Sequence, residues 1–155
     1  MVQIGSLLMG RYIYDRFSTE FAVVGGFHDL LADETPPLII HTIQVLIPII
    51  YEPNDERRPW AIVTTINDPS NREVCEANIT VADVQLMAEK RTRPVTANAV
   101  ARFENIQFNT FGQHSVSVLI QEPRALRVQG FYVGMSEGRH ASIARIGGTG
   151  VGARQ

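Results

Sequence analysis

Apolar and polar residues alternate along most of the chain, and short turn-forming segments interrupt the alternation. A repeat of two residues is typical of β-strands that bury one face. The alternation is clearest in the segment that begins at His114, where every second residue from Val116 onward is apolar. The pattern predicts about eight strands, which are Arg11–Phe17, Phe21–Phe27, Leu38–Tyr51, Trp60–Ile66, Glu73–Ala82, Asn98–Phe108, His114–Ile120 and Ala125–Val133.

Turn residues join several of these strands into hairpins. Ser18–Glu20 connects the first two strands, and Asn67–Asn71 contains an Asp-Pro pair that favours a tight turn between the next hairpin pair. The long strand from Leu38 to Tyr51 is expected to be central, with Pro48 near an edge or a bulge. A kink is expected near Glu104–Asn105.

Turns follow one another about every 8–14 residues, which predicts an all-β fold, an antiparallel β-sandwich with at most one short helix. A closed barrel is the alternative. The acidic stretch Asp29–Glu34, followed by two prolines, is expected to be a loop. Asp83–Arg93 is either a short helix or a loop. We therefore divide the chain into an N-terminal extension (1–10), a sandwich domain (11–134) and a Gly-rich tail (135–155).

Composition narrows the class of protein. The 155 residues fit one domain, and an apolar content of 45% excludes a disordered chain. The net charge of −2 argues against nucleic-acid binding, which needs excess positive charge. The longest apolar run, Leu38–Ile50, is interrupted by polar residues and is shorter than the roughly 20 residues of a membrane helix. With no signal-peptide pattern and the single cysteine Cys75, we expect a cytoplasmic protein without disulfides.

Several segments, taken in order, resemble a known family. They are the hairpin sequence Phe21-Ala-Val-Val-Gly-Gly-Phe-His-Asp29, the Trp60 strand with its Asn-Asp-Pro turn, Asn105-Ile-Gln-Phe108, and Phe111-Gly-Gln-His-Ser-Val-Ser-Val-Leu-Ile120. This order resembles a bacterial family of small, uncharacterised β-sandwich proteins, a domain of unknown function, over about residues 11–133. The chain departs from that family in its Gly-Gly-Phe-His segment and in His114, where an aromatic residue is usual. The resemblance implies a sandwich fold and a non-enzymatic role, and it supplies no catalytic residues.

Two glycine-rich segments resemble catalytic or phosphate-binding motifs. Gly134-Met-Ser136-Glu-Gly138 matches the nucleophile elbow of α/β-hydrolases, but the only histidine after it is His140 and no acid follows. Gly147–Gly152 resembles a phosphate loop but lacks the Gly-Lys-Ser/Thr sequence and the following helix. Neither segment predicts an active site, and we expect no catalytic residues.

Metal-ligating residues do not show a metal-site spacing. His28, His41, His114 and His140 are not paired at His-x-His or His-x-x-x-His intervals. Asp29, Asp33 and Glu34, with Glu20 nearby, form an acidic stretch that could bind Ca²⁺ but is more simply a solvated loop. We therefore expect neither a metal nor a cofactor.

The preferred hypothesis is a non-catalytic interaction or assembly module, a subunit of a homo-oligomer or of a larger complex. Sandwiches offer edge strands and loops for such contacts, and a chain with few charges has apolar surface to cover. The alternative is a small-ligand or carbohydrate-binding domain that uses an aromatic platform. An enzyme is the third possibility, without a supporting constellation. The candidate platform residues are Trp60, Tyr12, Tyr14 and Tyr132.

Overall fold

A computed structural model describes residues 1–16, 20–52, 60–81, 95–122 and 124–136. These residues form strands and turns, and no helix occurs among them. The strands are β1 (Gln3–Ile4), β2 (Leu8–Gly10), β3 (Tyr12–Arg16), β4 (Glu20–Val24), β5 (Asp29–Ala32), β6 (Leu38–Tyr51), β7 (Trp60–Asn67), β8 (Glu73–Val81), β9 (Val95–Phe108), β10 (Gly112–Ile120) and β11 (Ala125–Met135).

Sheet 1 is built around β6, which pairs with β9 along its whole length. On the other side of β6, β1 pairs with Ile49–Ile50 and β2 pairs with Gln44–Leu46. Pro48 lies in the gap between these two short strands, and its carbonyl accepts a hydrogen bond from the Gly5 N–H at 2.8 Å. The N–H that proline lacks would point to the same side of β6 as this carbonyl. Neither β1 nor β2 pairs with Pro48 there, so the missing N–H costs no hydrogen bond between paired strands.

Sheet 2 contains five strands in the order β5-β11-β10-β7-β8. The pairings of β7, β8, β10 and β11 are antiparallel, and β5 adds to the edge of β11 in parallel. The β7–β8 turn is closed by Asp68, whose N–H donates to the Arg72 carbonyl and whose carbonyl accepts from the Asn71 N–H. Asn71 adopts a φ of 60°, which asparagine tolerates better than most residues.

The core lies between the two sheets and contains the inward-facing side chains of β6, β7, β9, β10 and β11. Aromatic rings meet edge to face there: Tyr51 with Trp60 at 5.3 Å and Phe108 with Phe131 at 6.2 Å between ring centres. His114 is 1% exposed and packs against Phe108 at 5.1 Å, so it belongs to this aromatic cluster. The position where an aromatic residue is usual in the resembling family is thus filled by a buried imidazole.

The β3–β4 hairpin covers the outer face of sheet 1. The Ile13 N–H donates to Gln44 Oε1 at 2.6 Å, and both residues are buried. Leu46 lies two residues after Gln44 and therefore on the same face of β6. It is 0% exposed, although its neighbours Val45 and Ile47 face the core on the other side of the strand. β6 is therefore buried on both faces from Ile43 to Ile47, which explains the apolar residues at successive positions there.

The expected kink in β9 is present and has a counterpart in β6. Asn105 adopts a φ of 52° and lies opposite His41, with 3.4 Å between Asn105 Oδ1 and His41 Nδ1. In β9 the buried residue Phe103 is followed by Ile106 rather than by a buried residue two positions on. The alternation of β6 slips in the same way at positions 41–42, so both strands return to the core in register.

The predicted antiparallel sandwich is confirmed, and two details differ from the sequence analysis. Residues 1–10 contain β1 and β2 and so contribute to sheet 1 rather than forming a separate extension. Asp29–Ala32 forms β5 and is not a loop, because Leu30 is buried beside Val133 and β11 supplies the pairing. The Asp83–Arg93 segment and the tail from residue 137 lie outside the described residues.

Candidate functional site

The outer face of sheet 2 carries no charged side chain on its three central strands. In β7, β10 and the C-terminal part of β11, buried residues alternate with residues that point away from the core. Charges appear at the borders, with Glu73 and Glu76 on β8 and Asp29 on β5. We call this surface the neutral face; its residues are Ala61, Val63, Thr65, Asn67, Gln113, Ser115, Ser117, Leu119, Leu126, Val128, Gly130 and Tyr132.

Large apolar side chains are exposed on the β11 side of the neutral face. Leu126, Val128 and Tyr132 are 59%, 57% and 45% exposed. Leu126 is opposite Leu119, which in turn is opposite Val63, so an apolar row crosses the three strands. An exposed apolar row without charges is unusual on a surface in contact with water only, and such patches mark interaction sites.

Two glycines, which have no Cβ, allow neighbouring side chains to pack flat against the backbone of the neutral face. A Cβ at Gly134 would overlap the ring of Tyr132, so the ring extends over the backbone of that residue. A Cβ at Gly130 would meet the carboxamide of Gln113, which lies across the neighbouring strand. The two glycines therefore keep this end of the face flat.

A second feature is a cleft of about 470 Å³ at the end of the sandwich where β8 begins and β9 ends. We call it the edge cleft. β8 contributes Glu73 and Cys75 to its lining, and β9 contributes Glu104, Asn105 and Gln107. Residues that carry carboxylate, amide and thiol groups thus line one space, and the Glu104 carboxylate is ion-paired with Arg102 at 2.6 Å.

The charge of the edge cleft is partly compensated from within. Arg72 donates from Nε and Nη2 to Asp68 Oδ2 at 3.0 and 2.9 Å, while the backbone N–H groups of Ser70 and Arg72 donate to Oδ1. The hydrogen bond from the Arg72 backbone holds the pKa of Asp68 below its ordinary value. The Asp68 carboxylate therefore remains ionised, and both of its oxygens accept hydrogen bonds from residues of the turn.

Cys75 is a structural thiol in this cleft. Burial, reinforced by the nearby Glu73 carboxylate, raises the pKa of Cys75 to about 11. The thiol is then protonated at neutral pH, whereas the thiolate is the nucleophilic form. The geometry therefore offers no activated nucleophile at this position.

The four candidate platform residues have different positions. Trp60 is 2% exposed and packs against Tyr51, so the prediction that it could form a platform is wrong; its large ring fills the core between the sheets. Tyr12 is 48% and Tyr132 is 45% exposed, on different sheets. The side chain of Tyr14 lies outside the described residues.

The histidines and acids singled out in the sequence are dispersed. His114 is in the core with its Nδ1 at 3.1 Å from the Gly112 carbonyl, while His41 contacts Asn105 at the surface. Asp33 accepts a hydrogen bond from the hydroxyl of Ser136. Within the described residues, no group of three or more His, Cys, Asp or Glu side chains is placed to hold a metal ion. His140, Gly138 and the Gly147–Gly152 segment lie outside the described part of the chain.

Comparison with protein families gives a match over most of the sandwich. The model of a family of unknown function, DUF6941, matches residues 9–129. The chain belongs to the DUF6941 family. The match confirms the expected domain of unknown function and spans β2 to the first half of β11. No curated protein matches the DUF6941 chain, and in its described residues no helix is long and apolar enough to span a membrane.

Neither surface of this DUF6941 protein was singled out by the sequence analysis. The neutral face leaves a signal in the sequence, because the outward positions of three alternating strands are all uncharged. The edge cleft leaves no local signal, since it arises where the ends of β8 and β9 approach from different sheets.

Proposed function

We propose that this protein is a non-catalytic self-association module whose contact surface is the neutral face. The observation that carries the proposal is the coincidence of exposed Leu126, Val128 and Tyr132 with the absence of charge at the outward positions of β7, β10 and β11. Covering this apolar row removes it from water, which stabilises the contact by about 25 cal/mol for each Å² of apolar surface buried. The partner in the proposal is a second copy of the same chain.

Symmetry favours a second copy over an unlike partner. In a two-fold contact the same surface is used twice, and residues near the axis meet their own counterparts. Any charge near the axis would then face an identical charge, which is destabilising. The neutral face avoids this repulsion, and its hydroxyl and amide groups can donate and accept across the contact. Two sheets packed face to face are also the arrangement of the sandwich itself.

The area of the neutral face determines how strongly two copies are expected to associate. Three strands about 4.8 Å apart, with about seven residues each at about 3.3 Å, give a face of about 10 by 23 Å. Two such faces bury less than the roughly 1,200 Å² at which stable complexes begin. We therefore expect a weak, concentration-dependent dimer rather than a permanent one.

The proposal gives no role to nucleic acid or to a membrane. A net charge of −2 supplies no excess of positive charge for phosphate groups. We place the module in the cytoplasm, since a single cysteine offers no intramolecular disulfide and suits a reducing compartment.

Sedimentation velocity across micromolar to submillimolar protein tests the proposal with a matched pair of variants. Val128 and Val24 are 57% and 58% exposed, on the neutral face and on the β3–β4 hairpin. We expect the average mass of the wild type and of Val24→Lys to rise with concentration toward that of a dimer. Val128→Lys should stay monomeric, because it places like charges in the contact. A monomeric wild type, or equal behaviour of the two variants, would refute the proposal.

The alternative function is a small-ligand or carbohydrate-binding domain, and Tyr132 supports it. Its half-exposed ring extends over Gly134, and the Gln113 carboxamide, which can hydrogen-bond to hydroxyl groups, lies over Gly130 on the same strand. A ligand that binds the native state raises the melting temperature. Under this alternative, a panel of neutral oligosaccharides should raise Tm for the wild type and not for Tyr132→Ala. No shift with any of them would count against it.

A further inference from the structure

The two ends of the neutral face differ in polarity. At one end the apolar row of Val63, Leu119 and Leu126 crosses β7, β10 and β11. β8 extends this row with an uncharged residue, since Asn78 lies opposite Val63. At the other end the outward side chains are mostly polar, and Tyr132 lies about 20 Å further along β11 than Leu126. Two copies that bury apolar surface between them therefore place apolar row against apolar row.

The carboxylates at the borders of the neutral face lie toward its polar end. On β8, Glu76 and then Glu73 follow past the apolar row, and on β5 Asp29 flanks the same end. Beyond the apolar row on its other side, the β10–β11 turn carries one charge of each sign, Glu122 and Arg124. Like charges that face each other across a contact are destabilising. Association is therefore most favourable where the carboxylates of β8 and β5 are kept apart.

Two-fold arrangements of the neutral face differ in where these carboxylates lie. An axis parallel to the strands puts β8 of one copy over β5 of the other, so that Glu73 comes near Asp29. An axis across the strands through the middle of the face puts β8 over β8, and Glu73 then faces Glu76. An axis along the apolar row also puts β8 over β8, but Glu76 then faces the uncharged Thr80. Of these three axes, only the last keeps the carboxylates apart.

We propose that two copies pack with a two-fold axis along the apolar row, so that each residue of the row meets its own counterpart. This orientation presupposes the self-association proposed above. The strands of the two facing sheets run in opposite directions, and positions equally far from the row on either side face each other. Ala61 of one copy therefore faces Thr65 of the other. The polar end, with Gln113 and Tyr132, lies outside the contact and stays accessible in both copies.

A double-mutant cycle on the full chain tests the orientation, with the dimer Kd measured by sedimentation velocity. Ala61→Lys and Thr65→Glu are introduced together, which leaves the net charge unchanged. Within one chain the two positions are about 13 Å apart, whereas the proposed orientation brings each lysine against a glutamate of the other copy. We expect the double variant to associate at least about fivefold more tightly than the two single-variant effects combined predict.

The matched control is Ala61→Lys/Ser115→Glu, which introduces the same two charges on the neutral face. Ser115 lies on β10 toward the polar end and does not face Ala61 in the proposed orientation. We therefore expect no gain beyond the two single-variant effects. Urea unfolding of each variant in dilute protein checks that the monomers remain folded.

Distances between nitroxide labels test the same orientation without new charges. In a Cys75→Ala background, a label at Asn78 extends the apolar row, and a label at Ser70 lies in the turn at the polar end. The two labels of a dimer should be less than about 20 Å apart at Asn78 and more than about 30 Å apart at Ser70. An axis parallel to the strands would give similar distances at both sites.

The outcomes separate the orientation from self-association itself. A dimeric wild type with equal coupling in the two double variants, or with similar label distances at Asn78 and Ser70, would overturn the orientation alone. A wild type that stays monomeric at submillimolar concentration would refute self-association and the orientation with it.

Discussion

The β3–β4 hairpin covers the middle of the outer face of sheet 1, whereas no described strand covers the outer face of sheet 2. On sheet 1, Gln44 and Leu46 are buried, and Gln44 accepts a hydrogen bond from Ile13 of that hairpin. On sheet 2, Leu126 and Val128 remain more than half exposed. The two faces thus belong to sheets of one sandwich, but only one of them is covered from within the described chain.

The difference shows in the sequence of each strand. The middle of β6 is apolar at successive positions because both of its faces are buried there, while in β10 two valines alternate with two serines. Serine and threonine keep the neutral face free of charge without making it strongly apolar. A face of this composition can stay in water as a monomer and still pack against a like face. We interpret the bare face as a contact surface between copies for this reason.

The largest expected effect is the loss of Leu46. Leu46→Ala removes a fully buried side chain from the covered face, and the cavity should lower the free energy of unfolding by about 2–5 kcal/mol. Val128→Ala, on the bare face, should change it by no more than about 0.5 kcal/mol in dilute protein. Urea unfolding at low protein concentration measures both. Similar costs for the two variants would mean that the faces do not differ as described.

A smaller effect is expected at the glutamines of the two faces. Gln44→Leu leaves the buried Ile13 N–H without its acceptor, which should cost about 1–3 kcal/mol of unfolding free energy. Gln113→Leu, at an exposed position on the neutral face, should leave the stability of the monomer nearly unchanged. The same urea titrations compare them. If Gln44→Leu were neutral, the hairpin would not depend on this hydrogen bond.

The smallest effect is expected for a methyl group added to a glycine on each side. At Gly10 the new Cβ would lie 2.7 Å from Val23 Cγ1 and 3.1 Å from the Val24 carbonyl, so Gly10→Ala should destabilise by about 1–2 kcal/mol. At Gly134 the three atoms nearest to the new Cβ all belong to the Tyr132 ring, which can move toward solvent, so the cost of Gly134→Ala should stay below about 1 kcal/mol. Thermal unfolding of both variants measures the two losses of stability. A larger loss for Gly134→Ala than for Gly10→Ala would show that the Tyr132 ring is held firmly in place.

The long elements of the fold could be predicted from sequence because each contains its own signal. The apolar run of β6 and the alternation of β10 marked two strands correctly, and the kink at Asn105 was expected from the break in pattern. The short strands β1, β2 and β5 could not be predicted. Each has between two and four residues, and its pairing comes from β6 or β11 rather than from its own propensity.

The candidate sites were harder to predict than the fold. The exclusion of Trp60 as a platform required knowing that it faces Tyr51 across the core. The edge cleft required the juxtaposition of Glu73 and Glu104, which are distant in sequence and belong to different sheets. The neutral face alone could have been inferred from alternation, once the inward positions of three neighbouring strands had been assigned.

Methyl NMR of the wild-type protein in a dilution series tests the central claim most directly. The account predicts concentration-dependent shifts for the methyl groups of Val63, Leu119, Leu126 and Val128 on the neutral face. The methyl groups of Val24 and Ile39, which are 58% exposed on other strands, should not shift. Shifts confined to Val24 or Ile39, or no shifts at any concentration, would contradict the assignment of the neutral face as the contact between copies.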